Sequence, residues 1–499
     1  MKLRVRDLNI VTGGPLIGIL NEDDAKLMDI HVGDRIIVKR GDLFAHVIVD
    51  LTTAGKVAPQ GSIVLVEEVL SRLQLSEGTE VNIELSSKPA SLQYIKRKLD
   101  GQRLTPQEIA HIVSDIVEKK LSDIELTYFV AACYSHLLDL EETVALTKAM
   151  INTGEILKLR RKVVVDKHCI GGVAGNRTTP LIVPILAAAG LTVPKTSSRS
   201  ITSPAGTADT VEVFCPVTFP IGKMKSIIEK TNACLVWGGA INLAPADDMI
   251  IRVEHPLSID ATSQLIASIL AKKASVSSTH VLIDIPVGRG SKVEDKKHAL
   301  FLKRRFELIG RKVGLKVYSI LTDGSQPIGN GMGPALEARD ILWVLKNSAK
   351  APQDLRRKSL HMAGTMLELV RKCRKGQGLR IATEILTSGK AYAKFLQIIK
   401  EQGGSEIEPE DIKVGKFTHD IRSQKTGIVT HVDNGSIAKV ARIAGAPNDS
   451  GAGIYLKVHK RDYVTTDDIL YTIHSDSKER LSFAIDIQRH LKDIDIQPV

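Results

Sequence analysis

The sequence predicts a multidomain α/β protein, and three observations carry that expectation. From Val163 onward, short apolar β-branched runs alternate with helix-forming runs, the pattern of strands and helices layered on one sheet. The first 86 residues hold many short β-prone runs, which suits an N-terminal β-barrel-like domain. From residue 413 to 499 strand and helix signals mix, giving a C-terminal α+β segment.

In the first segment the runs Ile36–Val38, Ala45–Val49 and Ser62–Val66 read as strands. Two stretches resemble each other, residues 30–38 and 75–84, each placing a glycine-polar turn before an alternating strand. A small barrel of two similar halves is the expectation. Its polar residues do not cluster, so an assembly or stabilising role fits better than chemistry.

Ser86-Ser87-Lys88-Pro89 marks a boundary. Thr105-Pro106-Gln107-Glu108 then predicts a helix start, because Thr105 can cap, Pro106 fits the first turn and Glu108 completes a capping box. Ile109, Ile112, Val113 and Ile116 make its apolar stripe, and Ser122 and Asp139 head two further helices.

The stretch from Val163 to Glu212 is the most informative. A buried strand, Val163–Val165, precedes the polar run Asp166–Thr179, a helix over Leu181–Ala189 ending at Gly190, and a strand over Leu191–Pro194. A second polar loop, Ser197 to Ser203, follows, with Gly206-Thr207 close behind. Two loops at one edge of a sheet form a usual ligand position. Gly171, Gly172 and Gly175 let amides converge, Thr178 and Thr179 offer hydroxyls, and Lys167 adds positive charge, which together suit an oxyanion. An ordinary βα turn is the plain alternative, and the closing Gly-Lys-Ser/Thr of a Walker loop is missing.

Further strands are expected at Val211–Phe214, Leu235–Val236, Val281–Ile285 and Lys316–Leu321, with a helix over Met224–Lys230. On the helical stretch after Pro256, Asp260, Ser263, Ala267 and Ala271 share one face, and Ser268 and Lys272 an i,i+4 line. Polar turns at Gly288–Lys292 and Thr322–Gly331 repeat the strand-to-loop pattern, and Glu337 falls in the next helix. Strands at Val414–Ile421, Gly427–Val432 and Gly453–Leu456 complete the chain.

Composition sets bounds. A chain of 499 residues, 43% apolar and 25% charged, reads as globular. No window is apolar enough to span a bilayer and the N-terminus lacks a signal-peptide core, so a cytoplasmic protein without a membrane partner is expected. The net charge of +11 is spread along the chain, and 4% aromatic content provides no stacking platform for nucleic acid. The dense patches at 303–305 and 371–375 read as solvated surface. Five dispersed cysteines fit neither a disulfide framework nor a zinc site, and Cys169 has no dedicated base to make it a nucleophile.

Asp-Lys-His-x-x-Gly-Gly-Val from Asp166, then Ser-x-Arg-x-Ile from Ser197 and Gly-Thr-x-Asp from Gly206, resemble the thymidine/pyrimidine nucleoside phosphorylase family. The long N-terminal addition looks like the archaeal AMP phosphorylase branch. The resemblance implies a nucleoside phosphorylase-like architecture: a discontinuous helical domain over 87–155 and 245–276, and a central α/β phosphate-binding domain over 156–244 and 277–412. It implies closure of these two over the substrate, which excludes water. The flanking domains would span 1–86 and 413–499.

By the same resemblance, phosphate would be held by Lys167, Thr178, Ser197 and Thr207, with Gly172 nearby. Ser198, Arg199, Ser200, Ile201, Thr202 and Ser203 would surround the nucleotide, and Ser268 and Lys272 would contact the base. Two departures argue for a different base pocket. A family arginine has no clear counterpart near Arg252, and Ser203 stands where the thymidine enzymes commonly carry histidine. Lys292 stands where those enzymes have an apolar residue, and a 5′-phosphate would benefit from that cation. Asp260 is the leading proton donor, with His168 second, as an acid or an orienting group.

The implied reaction is phosphorolysis of a nucleoside 5′-monophosphate, AMP first, with CMP and UMP as further candidates. Orthophosphate is a co-substrate, no cofactor or metal is needed, and a homodimer or higher homo-oligomer is expected. The alternatives are phosphorolysis of unphosphorylated pyrimidine nucleosides, or a nucleic-acid-binding or structural role.

Overall fold

The computed structural model describes residues 1–86, 88–200, 203–254, 256, 259 and 261–498. It divides into two compact units, residues 1–153 with 245–267, and residues 154–244 with 268–499.

In the first unit six strands close a barrel: β1 (Lys2–Arg6), β2 (Ile17–Asn21), β3 (Arg35–Arg40), β4 (Leu43–Thr52), β5 (Ser62–Leu65) and β6 (Glu80–Leu85), ordered β1-β5-β2-β4-β3-β6. The two expected halves are visible in the pairing. β2 and β5 are each followed by a short helix and then by β3 or β6; β2 pairs antiparallel with β5, and β3 with β6. Alternate residues such as Ile36, Val38, Val81 and Ile83 fill the interior, so period-two patterning became a closed core.

Four helices follow, Ser91–Leu99, Pro106–Val117, Asp123–Ser135 and Leu140–Thr153, joined by Pro245–Glu254. The capping boxes of Thr105 with Glu108 and Ser122 with Glu125 are formed, and Ile109, Ile112, Val113 and Ile116 are fully buried. Lys98 and Glu142 make a buried ion pair of 2.9 Å, and Glu142 also accepts from the N–H groups of Leu104 and Asp139. Arg35 of the barrel reaches Glu125 and the carbonyl of Lys120, tying barrel to helices.

The second unit is built on parallel strands: β7 (Val165–Cys169), β8 (Val193–Ser197), β9 (Ala233–Trp237), β10 (His280–Val287) and β11 (Lys316–Asp323). β10 lies between β11 and β7, β8 pairs with β9, and a bridge from Val164 to Thr192 links the two sets. The order is therefore β11-β10-β7-β8-β9. The chain leaves β7 toward one edge and returns at β10 on the other side, so the switch point lies between β7 and β10. The helix Thr179–Ala188, nearly all buried, joins β7 to β8.

Three expectations are corrected. Lys167 and His168 lie within β7 and not in the loop after it, because the ladder with β10 runs from His280 opposite Val165 to Asp284 opposite Cys169. The following strand runs over Val193–Ser197 and not Leu191–Pro194. The strand expected at Val211–Phe214 is instead the end of a helix, Thr207–Glu212, and the turn that follows it. The Asp209 carboxylate accepts from the N–H of Gly206 and starts that helix, while Val211 in its last turn and Phe214 just beyond it are both buried.

The C-terminal part carries two antiparallel sheets formed from β12 (Gly331–Met332), β13 (Phe417–Arg422), β14 (Gly427–Val432), β15 (Gly453–Leu456), β16 (Tyr463–Val464), β17 (Ile469–Ser475) and β18 (Ile494–Pro498). Their orders are β12-β15-β17-β13 and β16-β14-β18.

Candidate active site

The carboxyl ends of β7 and β10 bring two glycine loops into contact. Gly172 has φ +85°, and a Cβ there would lie 2.3 Å from the backbone N of Lys292. Only glycine permits both that conformation and that approach. The loop after β10 is in turn packed on the loop after β11, since a Cβ on Gly288 would meet the N of Ser325 at 2.6 Å. Three strand ends are thus locked together at the switch point, where the sequence analysis expected a ligand.

Charge is concentrated beneath these loops. Lys167 is 3% exposed, and its Nζ donates to Thr178 Oγ1 at 2.7 Å. Burial lowers its pKa, against the pull of Cys169 and Asp284. One strand away, the wholly buried Asp284 pairs with Lys358 at 3.0 Å and accepts from Thr322 Oγ1 at 2.6 Å. Burial alone would raise the Asp284 carboxyl, but Lys358, Lys167 and Thr322 hold it below the ordinary aspartate range. Asp166, also fully buried, sits between Lys273 at 2.8 Å and Lys195 at 3.5 Å.

His168 shares this cationic surrounding. Burial, then Lys273, Lys195, Lys167 and Lys272, push its pKa well below the ordinary imidazole value. The ring is neutral at neutral pH, which suits the orienting role and not that of an imidazolium acid. Burial and Asp284 raise the Cys169 thiol, and Cys169 Sγ receives the amides of Gly171 and Asn176, so it is no thiolate nucleophile.

The second loop is organised by Asp209, whose carboxylate accepts from the N–H groups of Ser200 at 2.7 Å and Gly206 at 2.8 Å. Arg199 packs over Trp237 and donates to Asp209 and, through both terminal nitrogens, to Glu212. Its guanidinium is therefore engaged within the loop. Ser200 Oγ bonds the carbonyl of Ser203, Ser203 Oγ that of Ala205, and the carbonyl of Ser198 accepts from Ala208. Ser197, the last residue of β8, has a buried hydroxyl with no hydrogen-bond partner among the described residues. Thr207 is half-buried at the first position of the helix Thr207–Glu212.

Ser268 and Lys272 lie half-buried on the helix Thr262–Ser275, and Lys292 is exposed on its loop. Asp260, Ile201 and Thr202 fall outside the described residues. Sequence reading assigned no role to Asp209, Asp284, Lys195, Lys273 or Lys358. The signal was there for Asp284: an acid inside the apolar run Val281–Val287 must find partners when buried. It also passed over Arg177, which pairs with the buried Glu337 and donates to the carbonyl of Ala205, joining the first loop to the second. Thr210 Oγ1 donates to the same Glu337 oxygen at 2.8 Å.

Sequence comparisons agree with this architecture. Residues 92–154 match the glycosyl transferase family, helical bundle domain; residues 161–392 its a/b domain; and residues 428–495 the pyrimidine nucleoside phosphorylase C-terminal domain. The AMP phosphorylase of Pyrococcus furiosus is 46% identical over 498 residues, covering 100% of this chain and 98% of that protein. That of Methanococcus vannielii is 43% identical, covering 96% of this chain and 94% of that protein. The anthranilate phosphoribosyltransferase of Thermus thermophilus shares the fold, with 16% identity and a TM-score of 0.54 over 62% of this chain and 99% of that chain. No described helix is long and apolar enough to cross a membrane.

Proposed function

The chain belongs to the AMP phosphorylase family, and we propose how its own residues carry that family's reaction. It cleaves AMP with orthophosphate to adenine and ribose 1,5-bisphosphate. A phosphate oxygen bonds C1′, the bond from C1′ to the base breaks, and adenine leaves with a proton.

The meeting of the β7 and β10 loops over a buried cationic layer is the observation that carries the site. Orthophosphate is held by Lys167, Thr178, Ser197 and Thr207, with the Gly172 turn beside it. The unsatisfied Ser197 hydroxyl supports this reading, since a buried hydroxyl without a partner has a bond to give. An arriving anion also restores the positive form of Lys167 that burial disfavours. Ser198, Ser200, Ile201, Thr202 and Ser203 line the nucleotide, with Arg199 holding their loop in shape. Lys292 takes the 5′-phosphate, and Ser268 and Lys272 contact the base.

Asp260 donates the proton to the leaving base and His168 orients the reacting groups as a neutral ring. Asp260→Asn, which keeps shape but lacks the acidic proton, should slow base release greatly while His168→Ala leaves the acidic limb of the pH profile in place. The reverse pattern would exchange the two roles.

The segments 1–86, 87–155 with 245–276, 156–244 with 277–412, and 413–499 serve assembly, substrate closure, phosphate binding and C-terminal support. The protein works as a homo-oligomer in which the barrel contributes the contacts. Comparing the mass in solution of full-length protein with that of residues 87–499 tests this, and an unchanged assembly rejects it.

The decisive assay follows products from AMP, CMP, UMP and their nucleosides, with and without phosphate. Phosphate-dependent release of adenine from AMP is expected. CMP and UMP cleavage would show that the altered base pocket is broad. Cleavage of nucleosides alone would overturn the nucleotide reading, as would salt-sensitive RNA retention with no cleavage at all.

A further inference from the structure

We propose that a cationic depression at the other end of the central strands binds a small anion carrying a chain of phosphoryl groups. The depression, about 350 Å³, opens beside the residues that precede β7, β8 and β9, whereas the candidate active site lies beyond the carboxyl ends of β7, β8 and β10. Arg161 and Lys162 approach it from the segment leading into β7. Arg371 and Lys372 approach it from the segment after the helix Gln353–Leu369.

All four side chains are exposed, and among the described residues none has a hydrogen-bond or ion-pair partner. The nearest acid along the chain, Glu368, is already engaged: its Oε1 accepts from the N–H of Gly376 at 2.9 Å and of Gly378 at 2.8 Å. A helix end explains only half of the cluster. Arg371 and Lys372 follow a helix C-terminus, where positive charge is favoured, but Arg161 and Lys162 precede a strand and have no such reason to be there. Four cations converging on one concavity repel each other, and an anion relieves that repulsion.

The shape narrows the ligand. Half-buried Val163 and Val370, packed on the main apolar core, supply a nonpolar part of the lining. At Gly190, in the turn before β8, a Cβ would lie 3.6 Å from Nζ of Lys372, so that lysine reaches across the turn. Two separate segments, each presenting adjacent cations, match an extended anion better than a single phosphate, which one pair would neutralise. The volume suits a small molecule. Among the described residues no aromatic side chain lines the depression, which offers no stacking surface of the kind single-stranded nucleic acid uses. ATP and inorganic tripolyphosphate share the required chemistry, and only ATP adds a nucleoside to cover Val163 and Val370.

The test uses the full chain and measures acetylation rates of individual lysines by mass spectrometry, with ATP or tripolyphosphate as probe. At a probe concentration about ten times its Kd, Lys162 and Lys372 should react about tenfold more slowly, because about one-tenth of sites stay empty. The exposed Lys297 should be unaffected. A lower Kd for ATP than for tripolyphosphate, read from the concentration dependence of protection, assigns a nucleotide, and an equal or higher one assigns inorganic polyphosphate. Arg161→Ala with Arg371→Ala should abolish protection at both lysines while leaving AMP phosphorolysis, measured without probe, within about twofold. Equal protection by sodium chloride of matched ionic strength would overturn the proposal. So would protection that survives in the double variant, or protection given only by an oligoribonucleotide.

Discussion

Nζ of Lys167 lies 2.7 Å from Oγ1 of Thr178, joining the middle of β7 to the residue that precedes the next helix. The hydroxyl orients a cation whose pKa burial lowers, against the pull of Cys169 and Asp284. Lys167→Ala should raise the phosphate concentration needed for half-maximal rate by about 10- to 150-fold, the worth of one charge-assisted hydrogen bond of roughly 1.5–3 kcal/mol. Steady-state kinetics with phosphate varied at saturating AMP reads this directly. Unchanged phosphate dependence in a folded variant would remove Lys167 from the phosphate site.

The Arg177–Glu337 pair makes a prediction about architecture. Glu337 is 1% exposed, and Arg177 links it to the carbonyl of Ala205 beside the second loop. Removing one partner of a buried pair leaves the other charge uncompensated, at a cost of about 3–5 kcal/mol. Glu337→Ala should therefore lower the unfolding midpoint strongly and reduce activity through loss of the second loop's position. Arg177→Met with Glu337→Leu should recover much of the stability without the activity. Equal stability of the single and double variants would show that the pair carries no such strain.

Much of this is legible in the sequence itself. The barrel halves, the capping boxes and the glycine loops are written in local patterns, where turn chemistry and periodicity act over a few residues. Partners distant in sequence are not. Asp166 gives no hint that Lys195 and Lys273 will flank it, since those residues come from another strand and a helix. Val211–Phe214 reads as a strand because β-branched and aromatic residues favour one, but Asp209 capping the Gly206 turn decides for a helix.

Asp340 predicts a pH dependence. Burial, partly opposed by the N–H groups of Gly331 and Asn330 and reinforced by Asp354 and Glu337, pushes its pKa from 3.8 up to about 7. Between these values the folded state binds the extra proton, so stability falls as pH rises from about 4 through about 7. A shift of this size corresponds to about 4 kcal/mol at most. Asp340→Asn does not titrate and should lose that slope. Unfolding midpoints of both proteins, measured across pH 4 to 8, should shift in the variant's favour as pH rises, and parallel curves would sink the assignment.

Lys292 gives the sharpest test of substrate choice. Its backbone seals against Gly172, so its loop is fixed at the strand ends while the side chain is exposed. A 5′-phosphate carries about −1.5 to −2 charge at neutral pH, whereas adenosine offers only a hydroxyl there. Lys292→Met keeps the side chain's length and removes its charge. It should weaken kcat/KM for AMP by about 10- to 150-fold, again from roughly 1.5–3 kcal/mol, and leave residual adenosine phosphorolysis nearly unchanged. Gly172→Ala is the control for loop damage, because its Cβ would strike the Lys292 backbone and should depress both substrates together. If Lys292→Met behaves like that control, the lysine positions the loop and does not select the phosphate. If it spares AMP at limiting concentration, the nucleotide's 5′-phosphate is read by another residue.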